Sequence, residues 1–216
     1  MRSQSRVSQF DRFAPLDRFN AFSDGVIAIA ITLLVLELPV PGPEVPMIPA
    51  LLEEWAAFLG YFISFAFIGG VWIAHARLTR LMKDCDTVAY GTNLLLLLFV
   101  AMLPFATSLM VSNLGQTDVG TGVLIYGVVV LLASVTLTLL MIYVAREEEL
   151  LVDDVADDVL RVIYRQRWVS IGVNAFALVL ALFEPLFAVM LYLIQTLLLI
   201  VLPLLGLRKK RGAPQS

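Results

Sequence analysis

Apolar residues in this chain come in long blocks, with the polar residues gathered in the gaps between them. The first block, about Arg18 to Leu38, reads RFNAFSDGVIAIAITLLVLEL. It carries an Arg, an Asn, a Ser and an Asp in its first two turns and is aliphatic from there on, apart from Thr32 and, at the far end, Glu37. At about 1.5 Å per residue a helix over this block reaches roughly 30 Å, one hydrocarbon thickness. Further blocks follow at about 52–74, 87–111, 119–145, 168–183 and 186–207. The pattern predicts an all-α integral membrane protein of six transmembrane helices, forming a single domain over residues 1–216.

The gaps sharpen this reading. Pro39, Pro41, Pro43, Pro46 and Pro49 forbid a continuous helix after the first block and predict an extended connection. Glu53 and Glu54 fall in the first turn of the second block, where carboxylates suit the helix dipole, and Pro104 marks a bend in the third. The segment Arg146 to Arg167 is too charged for the bilayer. Its run Glu147 to Asp158 holds carboxylates among Leu150, Leu151 and Val155, as expected of a cytoplasmic amphipathic helix packed on the spans. The first seventeen residues, with Arg2, Arg6 and Arg12, read as a polar arm. No small-residue cleavage site follows the first block, so it reads as a retained span and not a signal peptide.

Charge then orients the spans. All fifteen Lys and Arg fall in the arm with Arg18, the connection after the second block, the connection after the fourth, and the tail Arg208 to Arg211. The remaining connections have none, so the positive-inside rule places both termini in the cytoplasm and the tail near anionic headgroups. Composition agrees: the chain is 60% hydrophobic and 15% charged, with mean hydropathy +0.89. One cysteine, Cys85, excludes an internal disulfide or a cysteine-rich metal site and reads as a reduced cytosolic thiol. One histidine, His75, argues against a histidine zinc or haem site in one chain. Phosphate-loop, dinucleotide and nucleophile-elbow patterns are absent, so neither an enzyme nor a nucleic-acid binder is expected, and no cofactor or metal.

On a helical wheel Ile29, Leu33 and Leu36 share a stripe with Thr32 beside it, and Phe22 and Gly25 continue it toward the cytoplasm. Periodicity alone favours lipid or a neighbouring helix as the use of such a stripe, since any span has one. Asp24 lies about 140° round from Ile29 and needs donors, a cation or water at that depth. Arg18, Trp72, His75 and Asn93 are its candidate partners. Two roles follow: a clasp joining the first three spans, or a titrating group in an ion relay. The number of donors in reach, and the lack of a second membrane carboxylate, favour the clasp.

The run Arg18-x-x-x-Phe22-Ser23-Asp24 followed by GVIAIAITLLVLEL resembles the first-helix signature of the transmembrane protein 175 family, the endolysosomal potassium channels and their prokaryotic relatives. Trp72, His75 and Asn93 stand at places in the second and third spans compatible with it, while the last three spans match only in hydrophobicity. The resemblance implies a homotetrameric, potassium-permeable channel in the cell membrane with four copies of the first helix around a pore. Ile29 would form the narrowest ring, with Leu33 and Leu36 as further rings and Thr32 lending hydroxyls. Arg18, Phe22, Ser23 and Asp24 would pack against Trp72, His75 and Asn93. The sequence has no carbonyl-cage filter loop, so selectivity would rest on the cost of shedding water at an apolar neck. Glu37, repeated around an axis, would place a negative ring at the outer mouth, or would simply be a solvated helix end. The rival readings are a proton-conducting channel or proton-coupled transporter using Asp24 and His75, and a non-conducting membrane scaffold.

Overall fold

The computed structural model describes residues 15–114, 119–147, 149–152 and 157–211, with the side chains at 113, 119, 157–159 and 199–211 outside that description. Seven helices follow one another among the described residues. Helix α1 spans Leu16–Leu33 and tightens into a 3-10 turn over Leu34–Glu37. A short α2, Met47–Glu53, precedes α3, Trp55–Thr79. Then come α4, Thr87–Asn113, α5, Val119–Arg146, α6, Asp157–Ala181, and α7, Pro185–Arg211. No strand occurs among the described residues beyond an isolated bridge between Met82 and Leu151.

Four stretches, Leu16–Glu37, Trp55–Thr79, Thr87–Ser112 and Gly120–Arg146, are long and apolar enough to cross a membrane, and Pro185–Leu198 is a shorter apolar helix. Several expected boundaries shift. The second span begins at Trp55, after a break at Glu54, and runs on to Thr79, so His75 is still helical, about one turn before the end of α3. The proline-rich connection is not wholly extended, because α2 forms within it and accepts Pro49 near its start, where a missing N–H is tolerated. Helix α6 begins at Asp157, well before Trp168. The reason is common to α3 and α6: hydropathy marks where lipid ends, while backbone bonding carries the helix on past it.

The acidic segment after α5 also departs from expectation. Of its described residues, Glu147 and Glu149–Val152 are not helical, while Asp157 and Asp158 open α6. Lys83 N–H donates to Leu150 O at 2.8 Å and Val152 N–H to Leu81 O at 2.9 Å, so this backbone pairs with the α3–α4 connection. The rest of the run to Asp158, the arm, and part of the turn after Asn113 lie outside the described residues or side chains.

Small and apolar residues at helical spacing build the core. On α3 the buried line runs Ala57, Gly60, Ser64, Ile68, Val71, His75 and Leu78. On α4 it runs Ala89, Asn93, Leu96, Val100, Leu103, Thr107 and Met110. Helices α4 and α5 share the most extensive interface; α6 and α7 pack on α5, and α7 also meets α3. Asn174 on α6 donates to Ser134 on α5 at 2.8 Å. Pro104 sits within α4 without ending it. Helix α1 touches α3 and α4 at one edge and is the least buried of the four apolar spans.

A second apolar cluster closes one end of the bundle, joining Phe19, Leu78, Met82, Cys85, Leu140, Val144 and Leu150. The start of α1, the α3–α4 connection and the α5–α6 connection therefore meet at the same end. Asp86 secures that end: it caps α4 by accepting from Ala89 N–H at 2.8 Å, and Tyr143 on α5 donates to its other oxygen. Cys85 is buried there, and burial pushes its thiol pKa up against a smaller lowering by Tyr90. The thiol is protonated at neutral pH and a poor nucleophile.

Gly60 sets how closely α3 approaches α4. A Cβ there would clash with Val111 Cγ2 and stand 3.3 Å from Thr107 Cγ2. Gly60→Ala is therefore expected to destabilise the protomer by about 1–3 kcal/mol through overpacking. A thermal melt of the detergent-solubilised protein reads this as a lower midpoint, and an unchanged midpoint would show that the helices can part there at no cost.

Candidate functional site: the two faces of the first helix

Helix α1 divides its residues between two faces. Phe19, Ser23, Ile27, Ala30 and, in the 3-10 turn, Leu34 are buried against α3 and α4. On the other side Phe22, Ile29, Leu33 and Leu36 are 53, 60, 42 and 75% exposed, although each is large and apolar. The stripe read from the wheel is thus the face that the protomer leaves open. Thr32 is exposed beside it and gives its hydroxyl proton back to its own helix, toward Ala28 O at 3.0 Å and Ile29 O at 2.9 Å. Its oxygen lone pairs stay available to what lies beyond that face.

The polar residues at the start of α1 form two separate contacts. In the buried one, Asn93 Nδ2 donates to Ser23 Oγ at 2.8 Å, and Ser23 Oγ donates to Phe19 O at 2.8 Å. Asn93 Oδ1 faces His75 Nε2 at 3.0 Å. Because the amide nitrogen is engaged by Ser23, the oxygen must accept from the imidazole, so the proton of His75 resides on Nε2. The chain crosses from α3 through α4 to α1 and ends on a backbone carbonyl. His75 and Asn93 are each 1% exposed and Ser23 is fully buried, so every bond forms away from water, where an unmade one is costly.

The second contact is peripheral. Trp72 Nε1 donates to Asp24 Oδ1 at 2.9 Å, with both side chains exposed on the groove between α1 and α3. Of the expected partners of Asp24, only Trp72 hydrogen-bonds to it; His75 bonds to Asn93, and Asn93 to Ser23. Arg18 and Phe22 remain exposed and take no part in either contact.

Phe19 is the residue that sequence reasoning missed. It is fully buried, stacks on His75 with ring centroids 5.7 Å apart and planes 12° from parallel, and meets Tyr90 edge to face at 5.1 Å. The signal was present: Phe19 lies four residues before Ser23, hence on the same face. The signature and the outward stripe both single out Phe22, and Phe19 belongs to neither.

At the opposite end a cavity of about 200 Å³ opens between the end of α1, the start of α3 and the end of α4. Glu37 and Glu54 both line it, with Tyr61, Ser108 and Ser112. The sequence singled out Glu37 without pairing it with Glu54, which sits across the proline-rich connection. Among the described residues no group of three or more His, Cys, Asp or Glu converges as a metal would require.

These geometries separate the contributions of the two contacts. Asn93→Ala strands His75 Nε2–H in a dry interior and takes from Ser23 Oγ the donor it accepts from, and is expected to cost about 1–3 kcal/mol. Trp72→Phe removes one exposed bond and is expected to cost about 1 kcal/mol or less. Melting midpoints of the two variants in one detergent check this ordering. If Trp72→Phe were the more damaging, the exposed contact, and not the buried one, would hold α1.

Comparison with known proteins meets this geometry at the same residues. A family model described as the endosomal/lysosomal potassium channel TMEM175 matches residues 18–104, which run from the start of α1 to Pro104 in α4. A potassium channel of Chamaesiphon minutus is 36% identical over 138 residues, covering 62% of this chain and 68% of that one. The human endosomal/lysosomal proton channel TMEM175 is 38% identical over 112 residues, covering 46% of this chain and 22% of that longer one. The crystal structure of a lysosomal potassium-selective channel TMEM175 homolog from Chamaesiphon minutus superposes with a TM-score of 0.77 at 28% identity. That superposition covers 86% of this chain and 96% of the other. The signature on α1, the residues it meets on α3 and α4, and this superposition lead to one conclusion: the chain belongs to the TMEM175 family, membrane-embedded ion channels and not enzymes.

Proposed function

We propose that the chain is a potassium-permeable cation channel of the cell membrane, a homotetramer with four copies of α1 around a central pore. The observation that carries this is the open apolar face of α1. One side of the helix is held inside the protomer, while Phe22, Ile29, Leu33 and Leu36 face outward in line. In the tetramer Ile29 forms the narrowest ring, Leu33 and Leu36 form further rings, and Thr32 contributes hydroxyl oxygens near them. Glu37 lies toward the outer mouth and draws in cations. Selection of potassium over sodium rests on the lower cost of partly dehydrating the larger ion at an apolar neck, and it is modest in size.

Membrane orientation follows from charge. The basic connections after α3 and α5 lie at the same end as the start of α1, which supports cytoplasmic termini and six spans, with α6 and α7 as the last two. Arg18, Phe22, Ser23, Asp24, Trp72, His75 and Asn93 act together as the mounting that sets the rotation of α1, some within the protomer and the exposed ones toward neighbouring copies.

Ile29→Asn places a polar group in each quarter of the neck. Reconstituted in liposomes, it is expected to raise potassium flux or weaken the preference over sodium, with the melting midpoint of the protomer little changed because Ile29 is exposed. Unchanged flux and preference would remove Ile29 from the constriction, and absence of any potassium flux in the unmodified protein would leave a scaffold.

A second reading, proton conduction through Asp24 and His75, is favoured by the naming of the human relative as a proton channel. Against it, the His75 chain ends on the Phe19 carbonyl and Asp24 is bonded elsewhere. Asp24→Asn distinguishes the two. A mounting role predicts an altered assembly or melting midpoint with potassium flux independent of a proton gradient. An intact tetramer that has lost gradient-dependent flux would establish the relay.

A further inference from the structure

A separate group of polar side chains lies inside the protomer, away from α1. Ser64 on α3, Thr107 on α4 and Tyr126 on α5 are buried together. Ser64 Oγ is in hydrogen-bond contact with Thr107 Oγ1 at 2.7 Å and with Tyr126 Oη at 3.2 Å. Thr107 donates onward to Leu103 O at 2.7 Å, so the set ends on the backbone of α4. The ring of Tyr126 meets that of Tyr192 on α7 edge to face, with centroids 5.4 Å apart.

Here the pairing stops. Tyr192 is 97% buried (3% exposed), yet its hydroxyl has no hydrogen-bond partner among the described residues, and neither has the buried Oε1 of Gln195 nearby on α7. Both side chains line a pocket of about 20 Å³ between α3, α5 and α7, with Tyr126 and Thr196 on its wall. Buried polar groups in native interiors are almost always satisfied, and at membrane depth no bulk water does it for them. Dry voids in proteins are apolar, whereas this one has two unmet polar atoms and the volume of about one water. No charged side chain lines it, so an ion would be left uncompensated.

We propose that this pocket is a binding site for a single water molecule, which accepts the Tyr192 hydroxyl proton and donates to Gln195 Oε1. The remaining hydrogen of the water points to a neighbouring oxygen on the wall. Both partners lie on α7, so the water satisfies the buried polar atoms of that helix beside the Thr107–Ser64–Tyr126 set. It belongs to the interior of one protomer and not to the face of α1. Gly127 makes room for the Tyr192 hydroxyl: a Cβ there would stand 2.8 Å from Tyr192 Oη and 3.0 Å from Leu178 Cδ1, so a larger residue would push the hydroxyl out of place.

The test is a map of the full chain in lipid nanodiscs at a resolution that shows ordered water. The expected result is a discrete peak about 3 Å from both Tyr192 Oη and Gln195 Oε1, lost in Tyr192→Phe together with a fall in melting temperature. An empty pocket in the unmodified protein, direct bonding of Tyr192 Oη to another protein group, or a peak that persists in Tyr192→Phe overturns the assignment. The map of the unmodified protein decides even if the variant fails to fold.

Discussion

Rotation of α1 about its own axis is the variable on which the rest of this structure turns, and the buried bonds from His75 to Asn93 to Ser23 fix it. Apolar packing alone fixes it poorly, because lipid tails are as apolar as the residues of α3 and α4 and little is gained by choosing protein over lipid. Interhelical hydrogen bonds in membranes contribute only about 0.6–2 kcal/mol each when made. Their larger effect is negative: turning Ser23 away would leave the Asn93 amide N–H unpaired in a dry interior, at a cost of several kcal/mol. That asymmetry selects one rotation. The stack of Phe19 on His75 then fills the space beside the chain and excludes water from it.

Once the rotation is fixed, the outward face has no freedom left. Ile29 lies about 200° round the helix from Ile27 and about 120° from Ser23 at the standard turn, so residues that bind the protomer cannot also serve the opposite side. The proposed pore uses that division: chemistry needed to hold the helix is kept off the face that ions would meet. It also explains how a channel could be gated at an apolar neck without a rigid carbonyl cage, since the side chains there are not locked into the core of their own subunit.

Polarity elsewhere follows the same economy. The interior groups on α3, α4 and α5 pass their hydrogen bonds to one another and end on backbone carbonyls, as the lack of water at membrane depth demands. At the opposite end from the carboxylates Glu37 and Glu54, backbone pairing between the α3–α4 and α5–α6 connections, with Asp86 joining α4 to α5, ties the basic loops together. The bundle is thereby fastened at one end and carries an acidic cavity at the other.

Much of this was legible in the residues themselves. The blocks of apolar sequence marked four helices long and apolar enough to cross a membrane, since length and hydropathy are properties of one segment and need no partner. The wheel separated Ile29, Leu33 and Leu36 from Asp24 by helical geometry alone, and the signature from Arg18 onward pointed to the family. The true ends of α3 and α6, and the turn in place of a helix after Glu147, were hidden because polarity reports the edge of the bilayer and not the end of backbone bonding. Only the tertiary structure decided which donor met which acceptor. From the sequence Asp24, His75 and Asn93 formed one candidate cluster; in three dimensions Asp24 pairs with Trp72 on the outside, and Ser23 takes the buried place with Phe19 against it. Pairing of this kind depends on helix rotation to within a fraction of a turn, and that is set jointly by three helices, a quantity no single stretch of sequence contains.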